Sequence, residues 1–292
     1  MSRKEVIEIL KKEEQHWVGD GFLVSSMFSP NHRLSEYLSP FLLLDYASPK
    51  EFSKTNLRRG VGVHPHRGFE TVTLAYKGEV EHRDSSGGGG IIKEGDVQWM
   101  TAGSGLVHEE FHSKEFSNQG GDFEMVQLWV NLPKQFKMTE PRYQGVKETQ
   151  FERIELSDGV DMKIIAGSYK THQGSFKTYS PINIYDLCLK NASCAEIQLP
   201  KMTNSLILVR RGSIKVGQKE IKAGELAIFE RDGDLIALEA MQSSELLMLN
   251  GEPINEPIFS YGPFVMNSKQ EILQAIDDYN SGNMGKFPSS LP

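Results

Sequence analysis

Cysteine is nearly absent from this 292-residue chain, which has only Cys188 and Cys194. Their spacing fits neither a zinc pair nor a disulfide framework, so each reads as a small apolar residue in or near a strand. Long apolar runs are missing as well. Segments such as FLLL and SLILV are far short of the roughly 20 residues a bilayer span requires. The opening MSRKEVIEILKKEEQ is too charged, and its apolar part too short, for a signal peptide, so the chain reads as cytoplasmic with no membrane partner. No long basic run occurs, and 32 Lys+Arg against 39 Asp+Glu give a formal charge of −7. That balance offers no positive surface for sequence-independent binding of nucleic acid. The glycine run at 87–90 lacks the Lys-Ser/Thr and following helix of a phosphate-binding loop and reads as a flexible hairpin.

What is present suits a soluble globular protein: 38% hydrophobic and 24% charged residues. The length is comfortable for two domains. Residues 3–15 fit either a short amphipathic helix, with Val6, Ile7 and Leu10 on one side, or an edge segment, and the pattern does not choose. From Gly21 onward come short β-like runs, among them FLVSSMF, FLLLDYA, TVTLAYKGEVEHRD, IIKEGDVQWM and MVQLWVNL. Gly, Pro, Asn and Asp clusters separate most of them, as in an antiparallel sandwich or barrel. Residues 133–150 are polar, with two prolines and one glycine, and read as a linker or crossing segment. More strand-like runs follow, including INIYDLCLK, SLILVRRGSIKV and ELLML. Near the end, SKQEILQAIDDYNSG reads as a helix capped by Ser268 with Glu271 three residues on, and with Ile272, Leu273 and Ile276 as its apolar stripe.

The chain also repeats itself. LAYKGEVEH (74–82) echoes LVRRGSIKV (208–216), and IIKEGDVQWM (91–100) echoes EIKAGELAIF (220–229). Two copies of one β-unit account for the length and the linker together. Counting back from Gly78 and Gly212 sets His64 against Gln198 and His66 against Pro200, and no histidine follows Leu199. Only the first copy carries paired histidines.

In HPHRGFE (64–70), His64 and His66 share one face of a strand, because side chains alternate with period two. In GSGLVHEEFH (103–112), His108, Glu110 and His112 share one parity. Two strands, each presenting two donors inward, can close a four-ligand site. Three imidazoles and one carboxylate form an environment for non-haem Fe(II), with Mn, Ni, Cu or Zn as alternatives. Pro65 cannot donate to a ladder, which favours an edge position near a barrel mouth. Glu70 shares the parity of His64 and His66 if the strand is unbroken, so spacing alone leaves it open as a ligand. Arg67-Gly68 can bend or bulge the strand and break that parity.

At these residues a family resemblance emerges. HPHRGFETV, GDVQWMTAGSGLVHEE, QLWVNLP and GEPINEPIFSYGPFVMN resemble the segments that mark pirins, within the cupin superfamily. The resemblance implies an all-β chain of two tandem cupin barrels with a short C-terminal helix. Residues 1–135 would be a metal-binding barrel, and residues 136–292 a degenerate barrel without metal, ending in the helix. It also implies His64, His66, His108 and Glu110 as ligands of one metal, usually iron. The general cupin pattern would take Glu70 instead. It would also place proline at Gly103 and asparagine at His112, so His112 stands as a further candidate for the fourth position. Glu70 is then expected to orient a ligand imidazole or to make a surface salt bridge, and His112 to lie beside the ligands or in solvent.

The activity the resemblance implies is quercetin 2,3-dioxygenation, with a small aromatic flavonol and O2 as partners and Glu110 also serving as catalytic base. The alternative it implies is a redox-responsive, iron-binding regulator that docks on a partner protein without catalysis; a third is another small-molecule cupin enzyme. His82 is expected on a solvated strand face, since Glu79, Glu81 and Arg83 surround it. His16, His32 and His172 stand apart from the clusters, and Trp99, Trp129, Met100, Phe69 and Phe123 are expected in the core.

Overall fold

The computed structural model describes residues 2–12 and 14–287. They fall into two compact units, neither a continuous stretch of chain. The first unit takes the described residues of Glu14–His32, Phe41–Glu148 and Asn255–Pro292; the second takes those of Met1–Glu13, Arg33–Pro40 and Thr149–Ile254. A single cut after residue 135 therefore does not trace the units. The strand Val6–Lys11 joins the unit of the C-terminal half, and the helix Lys269–Asn280 joins the unit of the N-terminal half.

Both units are antiparallel sandwiches of the same design. Among the described residues, each has a seven-stranded and a four-stranded sheet. In the first unit the larger sheet runs Arg142–Val146, Val97–Thr101, Phe69–Lys77, Gly121–Asn131, Phe41–Phe52, Phe22–Phe28, His16–Val18. In the second it runs Val6–Lys11, Glu225–Phe229, Asn204–Arg211, Ser244–Gly251, Ile182–Leu189, Val160–Ala166, Glu152–Ser157. The same edge position is thus filled by linker residues in one unit and by the chain's beginning in the other. Residues 6–11 are a strand and not a helix. Val6, Ile7 and Ile9 are β-branched, which favours strand, and Glu225–Phe229 supplies the ladder, with Val6 opposite Phe229 and Leu10 opposite Leu226.

The internal repeat is structural. Gly78 at φ +76° and Gly212 at φ +74° each turn the chain from a strand of the larger sheet into one of the smaller. That left-handed conformation is cheap only for glycine. The smaller sheets run Gly60–His66, Leu106–His112, Val80–Asp84, Gly89–Ile92 and, correspondingly, Cys194–Gln198, Leu235–Ala240, Ser213–Val216, Lys219–Lys222. In the second unit, Ile197, Ile236 and Leu238 on these strands join one large aliphatic cluster. Cys188 and Cys194 lie in strands but are exposed.

The C-terminal helix begins as the sequence indicates: Ser268 Oγ accepts from Glu271 N, and Glu271 reaches back to Asn267 N. Its buried face differs, however. Ile272 and Ala275 are buried, while Leu273 is 53% exposed. With Val107, Phe264, Met266 and Met284 they form a small core in the first unit.

A buried lysine ties that unit together. Lys137 Nζ donates to Gly68 O (2.7 Å), Asn131 Oδ1 (2.8 Å) and Val265 O (2.9 Å). Lys137→Met would strand three buried acceptors, each costing about 1–3 kcal/mol. We expect a loss of about 3 kcal/mol or more in chemical unfolding of the metal-free protein; an unchanged midpoint would mean that the lysine is dispensable.

Candidate metal centre

The turn at Arg67-Gly68 decides which side chains meet. Gly68 sits at φ +87°, and a Cβ there would lie 2.0 Å from Val265 O. The chain leaves the smaller sheet at His66 and enters the larger one at Phe69. Parity does not carry across this break. Glu70 faces away from the histidines, fully buried, and accepts from Thr101 Oγ1 at 2.6 Å. Its hydrogen bond goes to a buried hydroxyl rather than to a ligand imidazole, and its burial places it away from the surface. Burial pushes its pKa up to about 7, against the opposing hydrogen bond from Thr101.

Gly60–His66 is an edge strand, as Pro65 requires. Its partner Leu106–His112 sets His108 opposite His64 and Leu106 opposite His66. The three rings converge, with centroids 4.1 Å apart for His64–His108, 4.8 Å for His66–His108 and 5.0 Å for His64–His66. One donor nitrogen from each lies within 4.8 Å of the others. A bulge between His108 and Glu110 shifts the register, and Glu110 falls opposite His82 on the other neighbour, Val80–Asp84. Glu110, His108 and His82 form a second such group within 4.8 Å, so His108 belongs to both. Among the described residues these are the groups of three or more His, Cys, Asp or Glu close enough to hold an ion.

Glu110 is fixed from behind. Its Oε1 accepts from Gln98 Nε2 at 2.8 Å and from Thr73 Oγ1 at 3.4 Å, and Tyr143 OH donates to Gln98 Oε1 at 3.1 Å. His82 is not on a solvated face. It is fully buried, stacks on Tyr143 and contacts Asp84 Oδ2 through Nε2 at 3.2 Å. The clue lay in its own parity with Val80 and Asp84, both buried, rather than in its charged neighbours Glu81 and Arg83. His112 lies elsewhere, among Phe22, Phe52, Phe116 and Phe123, with Nε2 on Gly21 O at 2.8 Å.

The donors suit a cation. Burial, reinforced by the neighbouring His64, holds the pKa of both His66 and His108 well below the ordinary imidazole value, so both rings are neutral and able to ligate. His108 Nε2 is buried and has no hydrogen-bond partner. A buried orphan nitrogen among other imidazoles is costly unless something binds it. His64, His66 and Glu110 also line a cavity of about 450 Å³ with Phe22, Met125 and Trp129. That is the size and character of a small-molecule pocket.

Among known proteins, a Pseudomonas aeruginosa protein named "Putative quercetin 2,3-dioxygenase" is 50% identical over 96% of this chain and 98% of its own. Pirin-1 of Arabidopsis thaliana is 36% identical over 97% of this chain and 93% of its own. The crystal structure of quercetin 2,3-dioxygenase from Acinetobacter baumannii is 48% identical, covers 98% of this chain and 100% of that one, and matches with a TM-score of 0.95. The family model described as Pirin matches residues 22–130, and that described as Pirin C-terminal cupin domain matches residues 184–285.

Two related β-sandwiches, one holding a cluster of imidazoles and a carboxylate, make this a bicupin with a candidate metal centre in one unit. The chain belongs to the pirin family.

Proposed function

We propose that the chain holds one metal ion, Fe(II), through His64, His66, His108 and Glu110, and oxidises a flavonol-type substrate with O2. The observation that carries this reading is the shared cavity: candidate ligands and aromatic side chains line the same 450 Å³ space. When bound, divalent iron supplies Lewis acidity toward the flavonol hydroxyl and a redox partner for O2. The chain supplies the rest. Trp129, Phe22 and Met125 bind the flat rings and keep water out. Gln98 holds Glu110 Oε1, and Glu110 Oε2 takes the proton of the substrate hydroxyl as general base. The relatives named for quercetin 2,3-dioxygenase support this substrate class.

The test compares wild type with His66→Ala after anaerobic Fe(II) loading. Expected are about one iron per wild-type chain, far less in the variant, and quercetin consumption in air by loaded wild type alone at roughly 1 per second or more. Iron held by wild type without any turnover would replace catalysis with the redox-responsive, partner-binding role. Equal iron in both proteins would overturn the site.

A further inference from the structure

We propose that the cavity against the outer face of Val80–Asp84 and Leu106–His112 is a binding site for the phosphate group of a small phosphorylated molecule. The site is separate from the candidate metal centre.

The strand Leu106–His112 alternates between two environments. His108 and Glu110 belong to the imidazole cluster, while Glu109 and Phe111 lie on the opposite side, paired with Arg83 and Glu81 of the neighbouring strand. A cavity of about 570 Å³ opens on that side, larger than the one at the metal centre and sharing no lining residue with it. Three segments supply its polar wall. Arg83 comes from the strand, Asn56 and Arg58 from the connection ahead of Gly60–His66, and Lys114, Ser117 and Asn118 from the helix Lys114–Gln119.

Charge in this cavity is not balanced. Arg58 Nη2 donates to Glu109 Oε1 at 3.0 Å, and Arg83 Nη2 donates to the same oxygen. One carboxylate oxygen thus serves two guanidinium groups. The Arg58 guanidinium also lies 3.7 Å over the Phe111 ring, a cation–π contact that holds it in place. Lys114 is exposed and makes no ion pair among the described residues. Glu81 is the other acidic residue at the cavity, so cations outnumber anions there by three to two. Donors are left over as well. Arg83 Nε and Ser117 Oγ are buried without a hydrogen-bond partner, and Ser117 is only 8% exposed. Buried polar atoms in that state are rare and costly unless something binds them.

These donors define the ligand. A carboxylate accepts in one plane through two oxygens. A phosphate monoester presents three oxygens about a tetrahedral centre and carries a charge of about −1.5 to −2 at pH 7. Donors arriving from three segments match the second shape, and the excess positive charge matches its charge. The volume leaves room for the rest of a small molecule, whose hydroxyls the Asn56 and Asn118 amides can meet.

Isothermal calorimetry with inorganic phosphate at low ionic strength tests the site on the intact wild-type chain, Lys114→Gln, Arg83→Lys, Lys11→Gln and His66→Ala. Wild type should bind about one phosphate per chain with a Kd of about 1 mM or tighter. Lys114→Gln changes an exposed side chain, spares the fold and should weaken binding about 5-fold or more. Arg83→Lys keeps the charge but removes Nε and the guanidinium fork, and it should weaken binding by about the same factor. Lys11→Gln removes an exposed lysine from the second unit, and His66→Ala removes an imidazole from the metal centre; both should bind phosphate as wild type does. Absence of saturable binding to wild type would overturn the site. Equal affinity in Lys114→Gln and Lys11→Gln would reduce it to general attraction between phosphate and a lysine-bearing surface, and wild-type affinity in Arg83→Lys would reduce it to charge alone; each overturns the inference. Loss in His66→Ala would move the phosphate to the imidazoles. Citrate bound in a Lys114-dependent way, with phosphate not bound, would overturn the phosphate assignment in favour of a carboxylate.

Discussion

Glu110→Gln should strip the purified protein of most of its metal, while Glu70→Gln should leave metal content unchanged and make the protein more stable above neutral pH. Both glutamates are buried and both stand near histidines in sequence, so only the fold separates them. Glu110 shares a 4.8 Å group with His108 and lines the cavity with His64 and His66. Replacing it by an amide removes the one anionic donor, and the loss should exceed the roughly 10- to 100-fold typical of residues behind the ligands. Glu70 sits beyond the Arg67-Gly68 turn, hydrogen-bonded to Thr101. Burial raises its pKa to about 7 from an ordinary value of 4.5. The folded state therefore holds a proton that the unfolded chain releases between those values. Its contribution is fully present below pH 4.5 and is lost as pH rises through about 7. Glutamine has no charge to bury, so at pH 8 Glu70→Gln should exceed wild type by about 2–3 kcal/mol, and by little at pH 4.5. Urea unfolding of the metal-free proteins at the two pH values checks this. A parallel shift at both would mean that the carboxyl is not held protonated, and metal loss from Glu70→Gln would restore it as a ligand.

Much of this was legible in the sequence because it depended on local rules. Period-two alternation placed His64 with His66 and His108 with Glu110, and the glycines at 78 and 212 marked the repeat. What stayed hidden depended on partners distant in the chain. Val6–Lys11 has a pattern compatible with two conformations, and only the open edge of Glu225–Phe229 chooses the strand. Leu273 fits a helical stripe, yet the small core around Met266 and Met284 accepts Ala275 instead. The charged neighbours of His82 point to a solvated face, but alternate strand residues face opposite sides, and His82 shares its buried side with Asp84. Glu70 and Glu110 could not be separated by spacing, because a turn that abolishes parity looks like any Arg-Gly pair until Lys137 and Val265 are seen to hold it.

If the proposed activity holds, Val61→Trp should abolish most flavonol oxidation without disturbing the metal. Val61 lines the cavity beside His64, His66 and Glu110, and it is only partly buried, so a larger side chain can be accommodated without opening the core. An indole there would occupy space the substrate rings need, while the imidazoles of His64, His66 and His108 keep their positions. A displaced substrate loses apolar contact and, more importantly, its alignment with Glu110, and misplacement by about 1 Å can cost about 100-fold. We expect kcat/KM to fall by about that factor, equivalent to about 2.7 kcal/mol of transition-state stabilisation, at unchanged iron content. The pairing of readouts gives the experiment its force. Iron and turnover lost together would mean that the substitution damaged the site, and Val18→Trp, from another strand lining the same cavity, would then repeat the test. Iron kept and turnover kept would mean that flavonol reaches the metal by another route or that the cavity serves a different ligand. Iron kept and turnover lost would make the apolar cavity, rather than the metal alone, the determinant of substrate. A surface that only signals the oxidation state of its iron to a protein partner has no need of a hollow lined by Phe22, Met125 and Trp129.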